Sequence, residues 1–263
     1  MIEKLSLEDP LAAFRLDGRV AAITGAGSGL GRAIAQAFAR VGAEVALLDR
    51  DETAVSEVAA TIRAAGGRAH PMMLDVSEAA AVDTAFAALG GRDGGLDVLV
   101  NSAGIAIRKP AVELPLEDWD KVMAVNVTGS FLCARAAARL MLPKHRGSIV
   151  NLASIMGLSG GLYPNASYQT SKGAIVNMTR ALALEWARDG IRVNAVAPTW
   201  TRTEFTRTLL ARPEVLAEIE AATPMGRVAE PEEIVGAVLF LASPAASMVT
   251  GHVLAVDGGF LAR

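Results

Sequence analysis

The chain reads as an α/β protein built on a doubly wound, parallel sheet of seven strands with helices on both faces. Three observations predict this. Short β-like runs alternate with longer helical patterns from residue 19 to the end. The runs are almost continuously apolar, as parallel strands covered on both faces must be. The first run enters the first helical pattern through a glycine-rich turn, "TGAGSGLG" at 24–31. Alternation of this kind gives parallel strands joined by right-handed crossovers.

A leader at 1–16 precedes a single domain expected over 17–263. Strands are expected at 19–24, 44–49, 69–74, 97–101, 148–152, 191–196 and 252–256, where runs such as "RVAAIT", "EVALLD" and "SIVNL" stand. Helices are expected near 29–42, 51–65, 78–89, 117–141, 168–188 and 231–242. Two of them carry an apolar stripe at helical spacing: Trp119, Met123, Asn126, Ser130 and Cys133, then Lys172, Ile175, Thr179, Leu182 and Trp186. The segment 198–225 breaks the rhythm, with Pro198, Pro213 and Pro224 separating short helical patterns. Connections this long inside a compact domain are usually functional. A substrate lid is the favoured reading, beside a packed helical insertion or a subunit contact.

Composition removes several classes of function. The 263 residues are 52% hydrophobic, enough for a substantial core, and the net charge is −3. No basic tract follows a phosphate backbone, which argues against nucleic-acid binding. The single Cys133 permits no internal disulfide and suits a reducing cytoplasm. His70, His145 and His252 lie far apart, without metal-ligand spacing, so no metal is expected. The N-terminus lacks the basic start and apolar core of a signal peptide, and no apolar run reaches membrane-spanning length.

The glycine turn lets backbone approach a pyrophosphate, and the amides that open the helix favour negative charge. The spacing G-x-G-x-x-G is not met, because Leu30 stands where its third glycine would be; the loop offers Gly25, Gly27, Gly29 and Gly31. The second strand ends at Asp49, where a carboxylate can accept both adenosine ribose hydroxyls and repel a 2′-phosphate. Arg50 follows and argues for NADP, but the carboxylate nearer the ribose should decide, and Ser28 adds no positive charge. NAD is therefore preferred over NADP. Asp49 also suits a helix cap for 51–65.

Tyr168 and Lys172 come from a chain with only two tyrosines. Their spacing places them on one helix face, about 6 Å apart along the axis. Lys172 occupies a core position of its stripe, where a lysine is costly without a partner. An ammonium nearby stabilises a phenolate, and lowering a tyrosine pKa by about three units takes roughly 4 kcal/mol. The pair reads as a general acid/base. Asn126 is a second polar residue at an inward position; it must bond backbone at a helix irregularity, hold water, or do both. Ser154 follows the strand "SIVNL", at the end of an open sheet that faces a ligand crevice.

Together "TGAGSGLG" (24–31), "NSAG" (101–104), Asn126, Ser154 and "YQTSK" (168–172) resemble the short-chain dehydrogenase/reductase family, in order and spacing. The resemblance runs from about residue 17 to the C-terminus and implies a single Rossmann-type domain. It implies Tyr168 as acid/base, Ser154 on the substrate oxygen, Lys172 on the nicotinamide ribose, and Asn126 in a water relay. It further implies a cofactor held by Gly25, Ser28, Gly29, Leu30 and Gly31, by Asp49 and Arg50, and by Asp75 and Val76 around the adenine. Asn101, Ala103 and Gly104 would run along it, with Pro198 and Thr203 at the nicotinamide end. Ser102 and Thr199 depart from the family pattern, which commonly has asparagine and glycine there; neither removes a group the chemistry needs.

The implied reaction moves a hydride between NAD and a small-molecule secondary alcohol or ketone. Stretches such as "TPMGRVAEPEEI" are similar to polyol, sugar and sugar-acid dehydrogenases of the family. Arg108 or Lys109 suits a substrate carboxylate, though both equally suit a solvated surface; Ile155, Met156, Trp200 and 203–222 are candidate pocket walls. Two alternatives stand beside this: a 3-oxoacyl thioester reductase using NADPH, and a non-catalytic nucleotide-binding regulator. The family also implies a homotetramer, with "HVLAVDGGFLAR" at a subunit contact.

Overall fold

A computed structural model describes residues 8–91 and 95–263. The first seven residues of the expected leader lie outside the described residues. The remainder holds one 3-10 turn, Pro10–Phe14, capped by the Asp9 carboxylate, which accepts from the Ala12 N–H at 3.2 Å.

Seven strands form one sheet: β1 (Val20–Thr24), β2 (Glu44–Asp49), β3 (Arg68–Met73), β4 (Val98–Asn101), β5 (Gly147–Leu152), β6 (Ile191–Pro198) and β7 (Val253–Val256). Their spatial order is β3-β2-β1-β4-β5-β6-β7, and every pairing is parallel. The helices are α1 (Gly29–Arg40), α2 (Glu52–Ala64), α3 (Ala79–Gly90), α4 (Leu116–Met123), α5 (Ser130–Met141), α6 (Ala166–Trp186), α7 (Glu204–Leu210), α8 (Pro213–Ala222) and α9 (Pro231–Ala242).

The two-residue repeat of a strand explains the continuous apolar runs. Ala21, Ile23, Val45, Leu47, Val98 and Val100 point to one face, where Ile34 and Phe38 of α1, Ile62 of α2 and Val238 of α9 cover them. Val20, Ala22, Ala46, Leu48, Leu99 and Ile149 point to the other, under Phe86 of α3, Met141 of α5 and Trp186 of α6. Both faces of the central strands are buried, while the edge strands β3 and β7 keep partly exposed positions. The stripe on α6 is buried as its spacing predicts, Lys172 included.

Strand order reverses between β1 and β4. In such sheets the loops leaving the carboxyl ends diverge there and open a crevice. β1 ends opposite β4 at Thr24 and Asn101, so the glycine turn and the "NSAG" turn leave side by side. The Thr24 hydroxyl ties them together, accepting from the Ser102 and Ala103 N–H groups at 3.0 and 3.1 Å.

One stretch differs from the sequence expectation: the long helix at 117–141 is three pieces, with a π-helical turn, Ala124–Gly129, between α4 and α5. Gly129 packs on Val76 so closely that a Cβ would fall 2.7 Å from its side chain. The segment 198–225 holds α7 and α8, packed by a small separate cluster of Ile155, Trp200, Leu210, Val215, Ile219 and Val228.

Candidate active site

A cleft of about 330 Å³ opens at the carboxyl ends of the strands. One half is made largely by backbone. Gly25 has φ +67°, and a Cβ there would lie 2.9 Å from the Ala103 backbone; at Gly31 a Cβ would drive into the Gly25 carbonyl. Nothing but glycine lets this turn fold so tightly beside the start of α1. Ser28, Gly29 and Leu30 complete the wall. Asp49 closes the end of β2 against this turn: its carboxylate accepts from the Gly27 N–H at 3.0 Å and from the Asp51 N–H at 3.1 Å. The capping of α2 falls to Asp51 instead, which accepts from Ala54 N–H at 3.0 Å. Arg50, Asp75 and Val76 line the same end. Two Ser77 donors, its N–H at 2.9 Å and its hydroxyl at 2.6 Å, hold the Asp75 carboxyl below its usual pKa.

The other half is built by side chains. Ser154 ends the turn after β5; its oxygen accepts from the Met156 N–H at 3.1 Å, which leaves its own O–H free to donate. Tyr168 sits one turn into α6, with the Lys172 ammonium 5.6 Å from its ring centre. Ile155, Met156, Trp200 and Arg108 all reach the cleft wall, as do Pro198 and Thr203. Trp200 is braced edge-on by Phe260 at 5.3 Å.

Lys172 differs from the expectation of an ammonium aimed at the phenol. It donates to the Leu152 carbonyl at 2.6 Å, and burial pushes its pKa down to about 8. Tyr168 accordingly stands above its usual pKa. Burial raises it, while the hydrogen-bonded Ser154 hydroxyl and the Arg108 charge pull it down. In the protein alone, desolvation outweighs its neighbours.

Asn126 falls in the π-helical turn, and its amide bonds backbone as the inward position requires. It accepts from the Ile105 N–H at 2.8 Å and donates to the Ile105 carbonyl and the Ser171 hydroxyl, both at 2.9 Å. This pins the loop after β4 to α6. Asn126 therefore lies behind Gly104, 3.3 Å from where a Cβ would stand. Ala103 and Gly104 line the cleft, but Asn101 does not. Its amide turns into the core and donates to Asn151 at 2.9 Å and to the Ser130 carbonyl at 3.2 Å, because β4 there must be joined to β5 and α5. Lys109 is likewise drawn away, paired with Asp118 at 2.7 Å.

Phe205, Thr206 and Leu209 of α7 reach the wall from within the expected segment 203–222, whereas Tyr163, Asn165 and Thr201 arrive from loops that carried no signal in the sequence. Thr199, noted as a departure from the family pattern, presents a buried hydroxyl with no partner, and Asn165 a buried carbonyl oxygen in the same condition. These orphaned atoms, with the glycine cradle, fit a dinucleotide that brings both close backbone contact and polar groups.

A family model described as enoyl-(acyl carrier protein) reductase matches residues 25–261. A galactitol 2-dehydrogenase (L-tagatose-forming) of Cereibacter sphaeroides is 49% identical over 94% of this chain and 96% of its own length. A D-threitol dehydrogenase of Mycolicibacterium smegmatis is 41% identical over 94% of each. A gluconate 5-dehydrogenase of Burkholderia cenocepacia, solved with NADP and tartrate, superposes with a TM-score of 0.93 at 37% identity, covering 97% of this chain and all of that one. Its fold, its sheet order and these relatives agree: the chain is a member of the short-chain dehydrogenase/reductase family, a dehydrogenase acting on CH–OH groups with a nicotinamide cofactor.

Proposed function

We propose that this enzyme oxidises a secondary alcohol of a polyol, sugar or sugar acid with NAD, using Tyr168 as the acid/base. The observation that carries the reading is the convergence of Tyr168, Ser154 and Lys172 at the mouth of a cleft whose other half is a glycine cradle. The nicotinamide cofactor supplies the hydride chemistry. The chain does the rest. The Tyr168 phenolate takes the proton from the substrate hydroxyl, and the Ser154 O–H holds the resulting oxygen. Lys172, buried and fixed on Leu152, suits the ribose of the cofactor and adds positive charge beneath the phenol. Asn126 holds the loop that carries Ile105 and thereby fixes Gly104 beside the cofactor; the water relay belongs to the same proposal.

The preference for NAD rests on Asp49, whose carboxylate lies against the glycine turn where a 2′-phosphate would meet it. Arg50 lines the same end and is the opposing consideration. The segment 198–225 is proposed as the substrate lid within a single domain over 17–263, since α7 contributes Phe205, Thr206 and Leu209 to the wall. Arg108 is the cation available to a substrate carboxylate, as Lys109 is paired. Among the described residues no helix is long and apolar enough to cross a membrane. The buried, unpaired Cys133 suits the cytoplasm. A homotetramer is proposed with the C-terminal edge strand β7, half-exposed along its length, at a subunit contact; a monomeric mass in light scattering would contradict it.

The test is a nicotinamide-absorbance screen of polyols, aldonates and hydroxyacyl thioesters with NAD and with NADP. NAD-linked oxidation of a polyol or aldonate is expected; turnover of thioesters with NADPH alone would overturn the reading.

A further inference from the structure

Beside Tyr168 the cleft wall holds a ladder that the family resemblance does not predict. The Arg108 guanidinium lies over the Phe205 ring at 5.5 Å; the Phe205 and Tyr168 rings stand 5.9 Å apart, tilted by 41°; and the Lys172 ammonium lies 5.6 Å from the Tyr168 ring centre. Tyr168 is thus flanked by a cation on its own helix and, across one aromatic ring, by a second cation from the loop after β4. We propose that Arg108 is a positioning residue for the acid/base, a second cation held by Phe205 of α7 to stabilise the Tyr168 phenolate. This rests on the assignment of Tyr168 as the acid/base.

The surroundings of Arg108 single it out. Its neighbour Lys109 is neutralised by Asp118, whereas Arg108 makes no ion pair with a carboxylate among the described residues. Phe205 gives it a ring face, which orients a guanidinium without cancelling its charge. The groups facing Tyr168 are few. Ser154 stands at the end of β5 and Lys172 lies one turn along α6. Tyr163 comes from the loop before α6; burial and the Glu218 carboxylate push its pKa up to about 12, so it stays neutral. On α7, Glu204 is turned away and bonded to Arg32 and the Gly29 N–H. The carboxylates of the cleft wall, Asp49 and Asp75, lie at its other end.

The two cations also differ in kind. Lys172 titrates near 8, so its charge fades through the alkaline range in which a phenolate is needed. Arg108, though burial lowers its pKa, is a guanidinium and keeps its charge there. The Arg108 charge is itself among the causes that pull the Tyr168 pKa down. Phe205 belongs to the proposed lid, so the position of α7 sets how firmly Arg108 is held.

The experiment is the pH profile of kcat/KM for oxidation of a neutral polyol, with the wild type, Arg108→Gln, Arg108→Lys and Phe205→Leu. A neutral substrate removes any pairing between Arg108 and a substrate carboxylate. The limb set by Tyr168 is expected to move up by about one pH unit in Arg108→Gln. It should stay near its wild-type place in Arg108→Lys and move in the same direction, by less, in Phe205→Leu. NADH binding by fluorescence serves as the folding control. An unmoved limb in Arg108→Gln, with NADH still bound, overturns the proposal, as does a variant whose only defect is a raised KM for aldonates. A Tyr168→Phe enzyme that is inactive beside an unmoved Arg108→Gln limb removes only the role of Arg108; an active Tyr168→Phe enzyme removes the acid/base reading as well.

Discussion

The two ends of the sheet handle buried charge in opposite ways. At the amino ends of the strands, Asp97 is almost fully buried and saturated. Its carboxylate accepts from the Val20 N–H at 3.0 Å and pairs with Arg146 at 2.7 Å, Lys144 at 3.2 Å and Arg19 at 3.9 Å. At the carboxyl ends, Lys172 is as deeply buried but has a carbonyl and an aromatic face for company, with no carboxylate partner among the described residues. Thr199 and Asn165, which line the same cleft, leave polar atoms unpaired. A saturated buried charge joins pieces of a fold. An unsaturated one is retained at a cost to the fold, and that cost marks where a ligand is handled.

The comparison is broken most severely at the carboxyl end. Lys172→Met should lower turnover by at least about 100-fold while raising stability. The sign follows from its pKa of about 8, below the ordinary lysine value. The fold penalises the protonated lysine, and this penalty is in force below about pH 8, on the order of 3 kcal/mol. It is relieved as pH rises towards the unfolded pKa near 10.4. The stability advantage of the variant in denaturant titrations should therefore shrink over that window. A destabilised Lys172→Met would show that the Leu152 bond outweighs desolvation.

Asp97→Asn should do the reverse. Removing one member of a buried ionic cluster costs about 3 kcal/mol, read as a lowered denaturation midpoint, with kcat near the wild-type value. A large loss of kcat at normal stability would mean that the two ends are not separable. The smallest effect is expected at Asp49. Asp49→Ser should raise the ratio of NADP to NAD in kcat/KM by about 10-fold, since it removes the like-charge contact with a 2′-phosphate. An unchanged ratio would assign cofactor choice to Arg50.

Sequence pattern carried the fold because both faces of the central strands are buried by helices, so period and composition agree along those elements. It carried the glycine cradle for a related reason: a turn closed to a Cβ leaves only one residue type possible. Single polar residues on apolar stripes, Lys172 and Asn126, pointed to the side of the fold where the cleft opens. The split of 117–141 was less legible, because a π-helical turn changes backbone hydrogen bonding without changing the apolar stripe. Nothing in "NSAG" tells that the Asn101 amide bonds Asn151 in the core and not the cleft. Part of the wall was legible, since 203–222 holds Phe205 and Leu209 of α7; Tyr163 was not, because it reaches the cleft from the loop before α6.

The most direct test of the account is Tyr168→Phe, assayed by nicotinamide absorbance alongside NADH fluorescence. The phenyl ring keeps the packing against Phe205 and removes only the oxygen. The expected result is a loss of turnover of about 1,000-fold or more with cofactor affinity within a few-fold of the wild type. Full activity in this variant would contradict the central claim that the proton passes through Tyr168.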